Sequence, residues 1–169
     1  MVLGGPRSGK TTLVKALIRK CNMRRVAVLT QSPQEWDINL SVTLVSQRTD
    51  KESVMNTIRK RAIKYAKEEN DHYLVVDDNT VVREGSHRLH NLVDNVPSDM
   101  GLIIASSVIP SKDILCELDY CFILGKSSVL ALLGSSIPNV GTMRSYESLV
   151  IDSKAVCMGV YKAMLPTSA

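Results

Sequence analysis

A run of small, flexible and basic residues near the amino end has the spacing of a phosphate-binding loop. It matches the pattern G-x-x-x-x-G-K-[ST] followed by a second hydroxyl, in the residues Gly4-Gly5-Pro6-Arg7-Ser8-Gly9-Lys10-Thr11-Thr12. Glycines allow bare backbone to approach phosphates, and successive amide N–H groups form a nest for anions. The positive end of a following helix adds to that attraction. These residue types predict a site for a nucleotide polyphosphate.

Two side chains of this loop have separate expected roles. Lys10 would reach the β- and γ-phosphates, and the Thr11 hydroxyl would bind Mg²⁺. An apolar run, Met1–Leu3, precedes the loop, and apolar residues at helical spacing follow it. This strand-loop-helix order favours a nucleotide site over a glycine-rich turn that binds nothing.

A pair of acids ends another apolar run, His72–Asp78. We expect a buried strand beside the strand that leads into the phosphate loop, with its carboxylates at the edge where ligands bind. Asp77 would hold the metal through water, and Asp78 would orient or deprotonate the attacking water. The alternative interpretation is a turn that contains two structural aspartates.

Two hydroxyls follow a further apolar strand that begins at Gly101. Because the carboxyl ends of parallel strands border the ligand crevice, Ser106 or Ser107 could contact the γ-phosphate or the attacking water. A plain turn at the end of the strand fits the same residues equally well. Ser107 is the third candidate catalytic residue, with Lys10 and Asp78.

The elements that position these residues alternate between strands and helices. Strands are predicted at residues 1–3, 24–30, 42–45, 72–78, 101–107 and 120–124, and helices at 10–21, 50–69, 86–95, 111–117 and 127–133. Two apolar runs, 149–152 and 155–161, with a turn at Ser153-Lys154, predict a terminal β-hairpin. The order predicts a three-layer α/β fold with a mostly parallel central sheet and a C-terminal hairpin.

Composition sets the broad class. The 169 residues fit one domain, with a nucleotide-binding core at 1–125 and a helix plus hairpin extension at 126–169. Lys and Arg number 21 against 17 Asp and Glu, which permits an anionic partner.

Four widely spaced cysteines favour a reducing compartment over disulfides or a metal site. No apolar run approaches the ~20 residues of a membrane helix, so we expect a soluble protein that is not secreted.

Several side chains have two interpretations. Trp36 either stacks on adenine or anchors its loop against the domain. The predicted helix 50–69 carries Lys60, Lys64 and Lys67 on one face, which either follows a nucleic-acid backbone or is only solvated. His87 and His90 lack partners at ligand spacing and are interpreted as surface residues.

Taken together, these motifs resemble those of the poxvirus-type genome-packaging ATPases of the FtsK/HerA superfamily. The similarity covers most of the chain, in the order MVLGGPRSGKT, TLVSQRTDKESVMNTIRKRAIKYAKEE, YLVVDDN, GLIIASS and LVIDSKAV. Each motif is shared by many P-loop proteins, and their joint order with the terminal hairpin favours this family. The doubled acid is similar to the Asp-Asp that these viral ATPases often have.

The resemblance implies a RecA/FtsK-HerA-like fold and an ATPase that uses Mg²⁺. Lys10 and Thr11 would bind phosphate and metal, Asp77 would be the metal residue, and Asp78 would activate water. The family forms hexameric or pentameric rings that pull double-stranded viral DNA into capsids, which makes DNA, capsid proteins and further copies of this chain the expected partners. The expected location is the infected host cell, at a cytoplasmic assembly site rather than the nucleus, and also the virion.

Two departures from the family pattern affect the site. Ser107 stands where family members often place a γ-phosphate-sensing Gln. Asn95-Val96-Pro97 replaces a Gly-Arg-His that would supply an arginine to the neighbouring subunit. The arginines that remain for this role are Arg83, Arg88 and Arg144.

Two other functions are compatible with the loop. A small nucleotide or nucleoside kinase would need an arginine-bearing lid, for which Arg83–Arg88 is the one candidate stretch. A non-catalytic, nucleotide-dependent assembly switch would use the loop without the acids. Its GTPase form predicts an N-K-x-D motif, which the sequence does not contain.

Overall fold

The structure is a computed structural model that describes residues 1–30, 32–36, 42–46, 72–77, 94, 96, 100–108, 114, 117–124, 147–152 and 160–164. Its elements in chain order are β1 (Val2–Gly4), α1 (Lys10–Lys20), β2 (Val26–Thr30), a 3-10 turn (Pro33–Glu35), β3 (Val42–Ser46), β4 (His72–Asp77), β5 (Met100–Ser106), β6 (Tyr120–Leu124), β7 (Glu147–Asp152) and β8 (Val160–Met164). Every strand predicted from the sequence has a counterpart, with small shifts at the ends, except that the last strand begins five residues later than predicted.

The chain divides into two compact units, one of which is made of two segments that are separated in the sequence. One unit contains residues 1–16 and 105–169, and the other contains residues 17–104. The prediction of one domain with a boundary after residue 125 stays a prediction.

In the first unit, β1 lies between two parallel neighbours. Leu3 is level with Ser106 of β5 on one side and with Ile123 of β6 on the other. Beyond β6, β7 and then β8 pair antiparallel. Val2 and Leu3 are buried, as expected for a central strand with both faces covered.

The second unit is built around β2, whose five residues pair in parallel with β3 and with β4. The strand order here is β3-β2-β4-β5. Four successive residues of β2, Val26–Leu29, are buried, and so are Leu74–Val76 of β4. Such continuous apolar runs are typical of strands covered on both faces. The predicted α/β fold with a mostly parallel sheet and an antiparallel C-terminal hairpin is therefore confirmed.

Two details of the prediction are wrong. The strand that ends in Asp77 is not adjacent to the loop strand, because β1 has β5 and β6 as its two neighbours. An apolar run predicts that a strand is buried but carries no signal for which strand lies beside it.

The register of the terminal hairpin also differs from the prediction. Strand β8 begins at Val160 rather than at residue 155, and Ile151 is level with Val160. Residues 153–159, which include the predicted turn, lie outside the described part of the chain. Runs without a strict alternation of polar and apolar residues specify their register weakly, so the pairing could not be derived from the pattern.

Most predicted helices after α1 lie outside the described residues. This holds for residues 50–69, with the basic face of Lys60, Lys64 and Lys67, and for residues 127–133. Within the other two predicted helices, Asp94, Ile114 and Glu117 are described and helical. None of the helices in the described ranges has the length and apolarity needed to span a membrane.

Helix α1 follows directly from its sequence. Leu13, Val14 and Ile18 recur at helical spacing and are buried. Asn22 ends the helix in the left-handed region with φ 48°. Its N–H donates to the Arg19 carbonyl at 3.2 Å, and the Met23 N–H donates to the Ile18 carbonyl at 3.0 Å. This is the Schellman arrangement, which satisfies the last carbonyls and fixes the turn after the helix.

A close contact between β4 and β5 gives a first test. A methyl group on Gly101 would overlap the Tyr73 ring, with Cε1 at 2.6 Å. We expect Gly101→Ala to lower the free energy of unfolding by about 1–3 kcal/mol, measured by urea denaturation, because the ring must move. The same substitution in a Tyr73→Ala background serves as the control and should cost much less. Equal costs in the two backgrounds would contradict this contact.

Two described cysteines differ in burial. Cys21 is exposed, whereas Cys121 is buried, and burial raises the pKa of the Cys121 thiol. A raised pKa lowers the thiolate fraction at a given pH, and the thiolate is the reactive form. We expect iodoacetamide at pH 8 to modify Cys21 about tenfold or more faster than Cys121 in the native protein, with the Cys121 rate rising as pH increases. Peptide mapping by mass spectrometry measures both rates, and denatured protein should abolish the difference. Equal native rates would show that Cys121 is accessible.

Candidate nucleotide site

The phosphate loop begins where β1 ends and turns back against that strand. A methyl group on Gly4 would overlap the Ser8 Oγ and lie 3.1 Å from the Leu124 Cβ. Only glycine fits this close approach. Gly5 differs, because a methyl group there would meet no atom of the described residues within 4 Å. The backbone of Gly5 therefore faces open space, which leaves room for a ligand.

The loop requires two residues in the left-handed region of backbone space. Gly9 has φ 91° and Arg7 has φ 58°. Gly9 adopts this conformation without steric cost, whereas a residue with a Cβ pays about 1–2 kcal/mol. The Ser8 N–H donates to the Gly5 carbonyl at 3.3 Å and closes the turn. The sequence pattern did not predict the conformation of Arg7, because the motif accepts any residue at that position.

Lys10 connects the start of α1 to the end of β1. Its Nζ donates to the Gly4 carbonyl at 3.0 Å and to the Gly5 carbonyl at 2.8 Å. Hydrogen bonds from an ammonium group are stronger than neutral ones, so they hold both the loop and the charge in place. The sequence predicted a positive charge at this loop, and the structure places it there.

The amino end of α1 presents its backbone dipole to the loop. The Leu13 N–H donates to the Gly9 carbonyl at 2.9 Å, so the helical bonding begins inside the motif. No acidic residue lies in the first turn of α1, whereas Arg19 and Lys20 lie in the last turn. Basic residues match the negative carboxyl end of the helix. The positive end has no carboxylate from that turn and suits an anion.

One buried polar atom in the loop is unsatisfied. The Ser8 Oγ is buried and has no hydrogen-bond partner. Such a group costs about 1–3 kcal/mol, and in a native structure it indicates stored strain or a ligand that completes it. With the open backbone at Gly5 and the ammonium of Lys10, this hydroxyl makes the loop fit a polyphosphate.

The two serines at the end of β5 have different surroundings. The Ser106 hydroxyl is fully buried; it donates to the Val108 carbonyl and accepts from the Val108 N–H, both at 2.9 Å. It is therefore engaged in a turn of its own chain. Ser107 is half-buried and directly follows Ser106, the last residue of β5, which is level with Leu3 of β1. Because β5 and β1 are parallel, Ser107 follows β5 at the same end of the sheet at which β1 leads into the loop.

The predicted metal residues are oxygen donors. The Thr11 hydroxyl belongs to the second residue of α1, and both Thr11 and Asp77 are half-buried. Asp77 ends β4, level with Thr30 of β2, whose hydroxyl accepts from the Ser32 N–H at 3.0 Å. Mg²⁺ prefers oxygen ligands and usually binds through one or two carboxylates together with substrate phosphates. No cluster of three or more His, Cys, Asp or Glu side chains occurs in the described part, and this donor set does not require one.

The predicted site residues lie in different parts of the chain. The phosphate loop and Ser107 lie in the unit formed by residues 1–16 and 105–169. Asp77 lies in the other unit. Asp78 and the arginines Arg83, Arg88 and Arg144 lie outside the described residues, as do His87 and His90.

Trp36 anchors its loop. Its side chain is only 3% exposed, directly after the 3-10 turn Pro33–Glu35. Of the two interpretations from the sequence, the buried anchor is therefore the correct one. An exposed indole that stacks on adenine is excluded at this position.

Comparison with known proteins gives matches at the level of structure. No protein-family model matches the chain, and no curated protein does. The DNA-packaging ATPase from Sulfolobus Turreted Icosahedral Virus aligns with a TM-score of 0.70 and 14% sequence identity, covering 97% of this chain and 96% of that one. ATPase domains 2 and 3 of EssC from Geobacillus thermodenitrificans align with a TM-score of 0.55 and 12% identity, covering 95% of this chain and 39% of that one. The chain therefore has the α/β fold of P-loop ATPases.

Proposed function

We propose that this protein is a Mg²⁺-dependent ATPase that moves double-stranded viral DNA into capsids. The observation that carries the proposal is the loop itself, in which Lys10 is fixed by the Gly4 and Gly5 carbonyls beside an open backbone. The packaging role rests further on the order of sequence motifs. The likeness over nearly the whole length of a viral DNA-packaging ATPase is consistent with it.

The reaction is an in-line attack of water on the γ-phosphate. Lys10 and the amides of the loop stabilise the negative charge that spreads over the phosphate oxygens. Asp78 orients the water and takes up its proton, and Ser107, which directly follows β5, contacts the γ-phosphate or that water. Thr11 and Asp77 would hold Mg²⁺, which neutralises charge on the β- and γ-phosphates when bound.

The mechanical role requires more than one copy of the chain. We propose a hexameric or pentameric ring in which an arginine of one subunit completes the site of its neighbour, with Arg83, Arg88 and Arg144 as the candidates. Contacts to DNA are made to phosphates and are independent of sequence. Capsid proteins are the further partners. The place of action is the infected cell, at a cytoplasmic assembly site, and the virion.

A matched pair of glycine variants tests the loop. Gly4→Ala introduces the overlap with Ser8 and should lower the free energy of unfolding by about 1–3 kcal/mol. The methyl group of Gly5→Ala meets no atom in the part of the chain that the structure describes, so stability should stay within about 0.5 kcal/mol. Its methyl group enters the open space of the loop, so we expect ATP affinity, measured by calorimetry, to fall about tenfold or more. A Gly5→Ala protein that is stable and binds ATP like the wild type would contradict the proposed approach of the phosphates.

Hydrolysis with and without duplex DNA tests the function. We expect the wild type to release phosphate from ATP faster when DNA is present. Lys10→Ala should lose nucleotide binding or turnover, whereas Asp78→Asn should keep binding and lose hydrolysis by about 10²-fold or more, because general base catalysis contributes that much.

The other outcomes either contradict the role of a residue or identify a rival function. Full turnover in Asp78→Asn would contradict the role of that acid. Transfer of phosphate to a nucleoside would show a kinase, and tight ATP binding without turnover in the wild type would show an assembly switch.

A further inference from the structure

The positive charge of this chain is concentrated at its amino end. Seven of the 21 Lys and Arg residues precede the first acid, Glu35, which leaves 14 basic against 17 acidic residues in the rest of the chain. Arg7 and Lys10 belong to the phosphate loop, and Lys15 lies within α1. The other four residues form what we call the basic turn, namely Arg19, Lys20, Arg24 and Arg25.

All four side chains of the basic turn are exposed, within seven consecutive residues. The backbone between them is fixed by the hydrogen bonds of Asn22 and Met23 to the last turn of α1. Asn22 has φ 48° and Arg25 has φ 53°, so two non-glycine residues adopt the left-handed region here. Arg25 directly precedes the buried strand β2. The charges are therefore displayed on a rigid support, which lowers the entropic cost of binding a partner.

The surroundings of these charges indicate the kind of partner. The other residues of the segment are Cys21 and Asn22, which are exposed, and Met23, which is half-buried. No large apolar side chain is exposed between Arg19 and Arg25. Protein interfaces have an apolar core, and membrane-binding segments insert apolar side chains. A surface of arginine, lysine and asparagine fits a row of phosphates, since guanidinium groups bind phosphate oxygens in pairs and ammonium groups bind them as point charges.

We propose that the basic turn binds the phosphate backbone of duplex DNA. This inference rests on the proposed function, because it assigns part of the DNA contact of that ATPase. The turn lies at the carboxyl end of α1, and the helix begins in the phosphate loop. The proposed DNA contact is therefore separate in the chain from the residues of the nucleotide loop.

The test is the salt dependence of duplex binding by the full chain, with a random-sequence duplex as the probe. The variant is Lys20→Gln with Arg24→Gln, which removes two exposed charges outside the nucleotide loop. Each phosphate contact contributes about 0.9 to the slope of log affinity against log salt. We expect the slope to become shallower by about 1.8 and the affinity at 0.1 M salt to fall roughly 10- to 60-fold.

Three controls show whether a change in salt dependence comes from the charge of the basic turn. Lys20→Arg with Arg24→Lys keeps both charges and should keep the slope. Lys60→Gln with Lys64→Gln removes the same amount of positive charge from the predicted helix 50–69, which carries the other basic face. Basal ATP hydrolysis and the thermal midpoint of the Gln variant should match the wild type, which shows that its fold is intact.

An unchanged slope in Lys20→Gln with Arg24→Gln would overturn the inference. If stimulation of hydrolysis by DNA persisted in that case, the proposed function would stand with a different DNA surface. A wild type that neither binds duplex at 50 mM salt nor responds to it in hydrolysis would overturn both. Binding of an acidic protein by the turn, with no loss of duplex affinity, would also overturn the inference.

Discussion

The placement of β1 is the constraint on which the rest of the site depends. This strand has only three residues, yet it is held on both sides by parallel partners, with Leu3 level with Ser106 and with Ile123. Because the neighbours fix its end, the chain must turn at Gly4. The turn is then closed by the ammonium of Lys10, which bonds the carbonyls of Gly4 and Gly5. Strand, loop and helix are thus joined through one charged side chain.

Two features of the loop cost free energy of folding, and the packing around the loop offsets this cost. Arg7 is held in the left-handed region, and the Ser8 hydroxyl is buried without a partner. Backbone strain and unsatisfied polar groups persist where packing over-determines them, and they concentrate at sites that bind ligands. Here the packing comes from buried β1 and from the contact of Ser8 with Gly4. The same residues that make the loop less stable are those that a polyphosphate would engage.

The sequence predicted the parts of the site that depend on local chemistry. The phosphate motif gave the loop and the start of α1, and continuous apolar runs gave the strands, because burial on both faces requires such runs. The sequence contains no comparable signal for which strands pair with each other. The neighbour of β1 is β5 rather than β4, and Val160 rather than residue 155 begins β8. Choice of neighbour and register depends on tertiary contacts that no local pattern specifies.

Side-chain roles that depend on such pairing were equally hidden. Ser106 and Ser107 are adjacent and chemically identical in the sequence, but the turn that Ser106 forms with Val108 separates their roles. The parallel pairing of β5 with β1 then puts Ser107 at the end of the sheet where the loop begins. Trp36 is a similar case, because the sequence is compatible with either an exposed, stacking indole or a buried one. Only the structure shows that the side chain is buried.

The most direct measurement is an experimental structure of the protein with a non-hydrolysable ATP analogue and Mg²⁺. We expect the β- and γ-phosphates to lie against the amides of Gly5 to Thr12. Lys10 Nζ should contact their oxygens, and Asp77 and Asp78 should lie on the side of the metal and the attacking water. An analogue bound elsewhere, or a loop that stays closed on Lys10 at saturating analogue, would contradict the central claim.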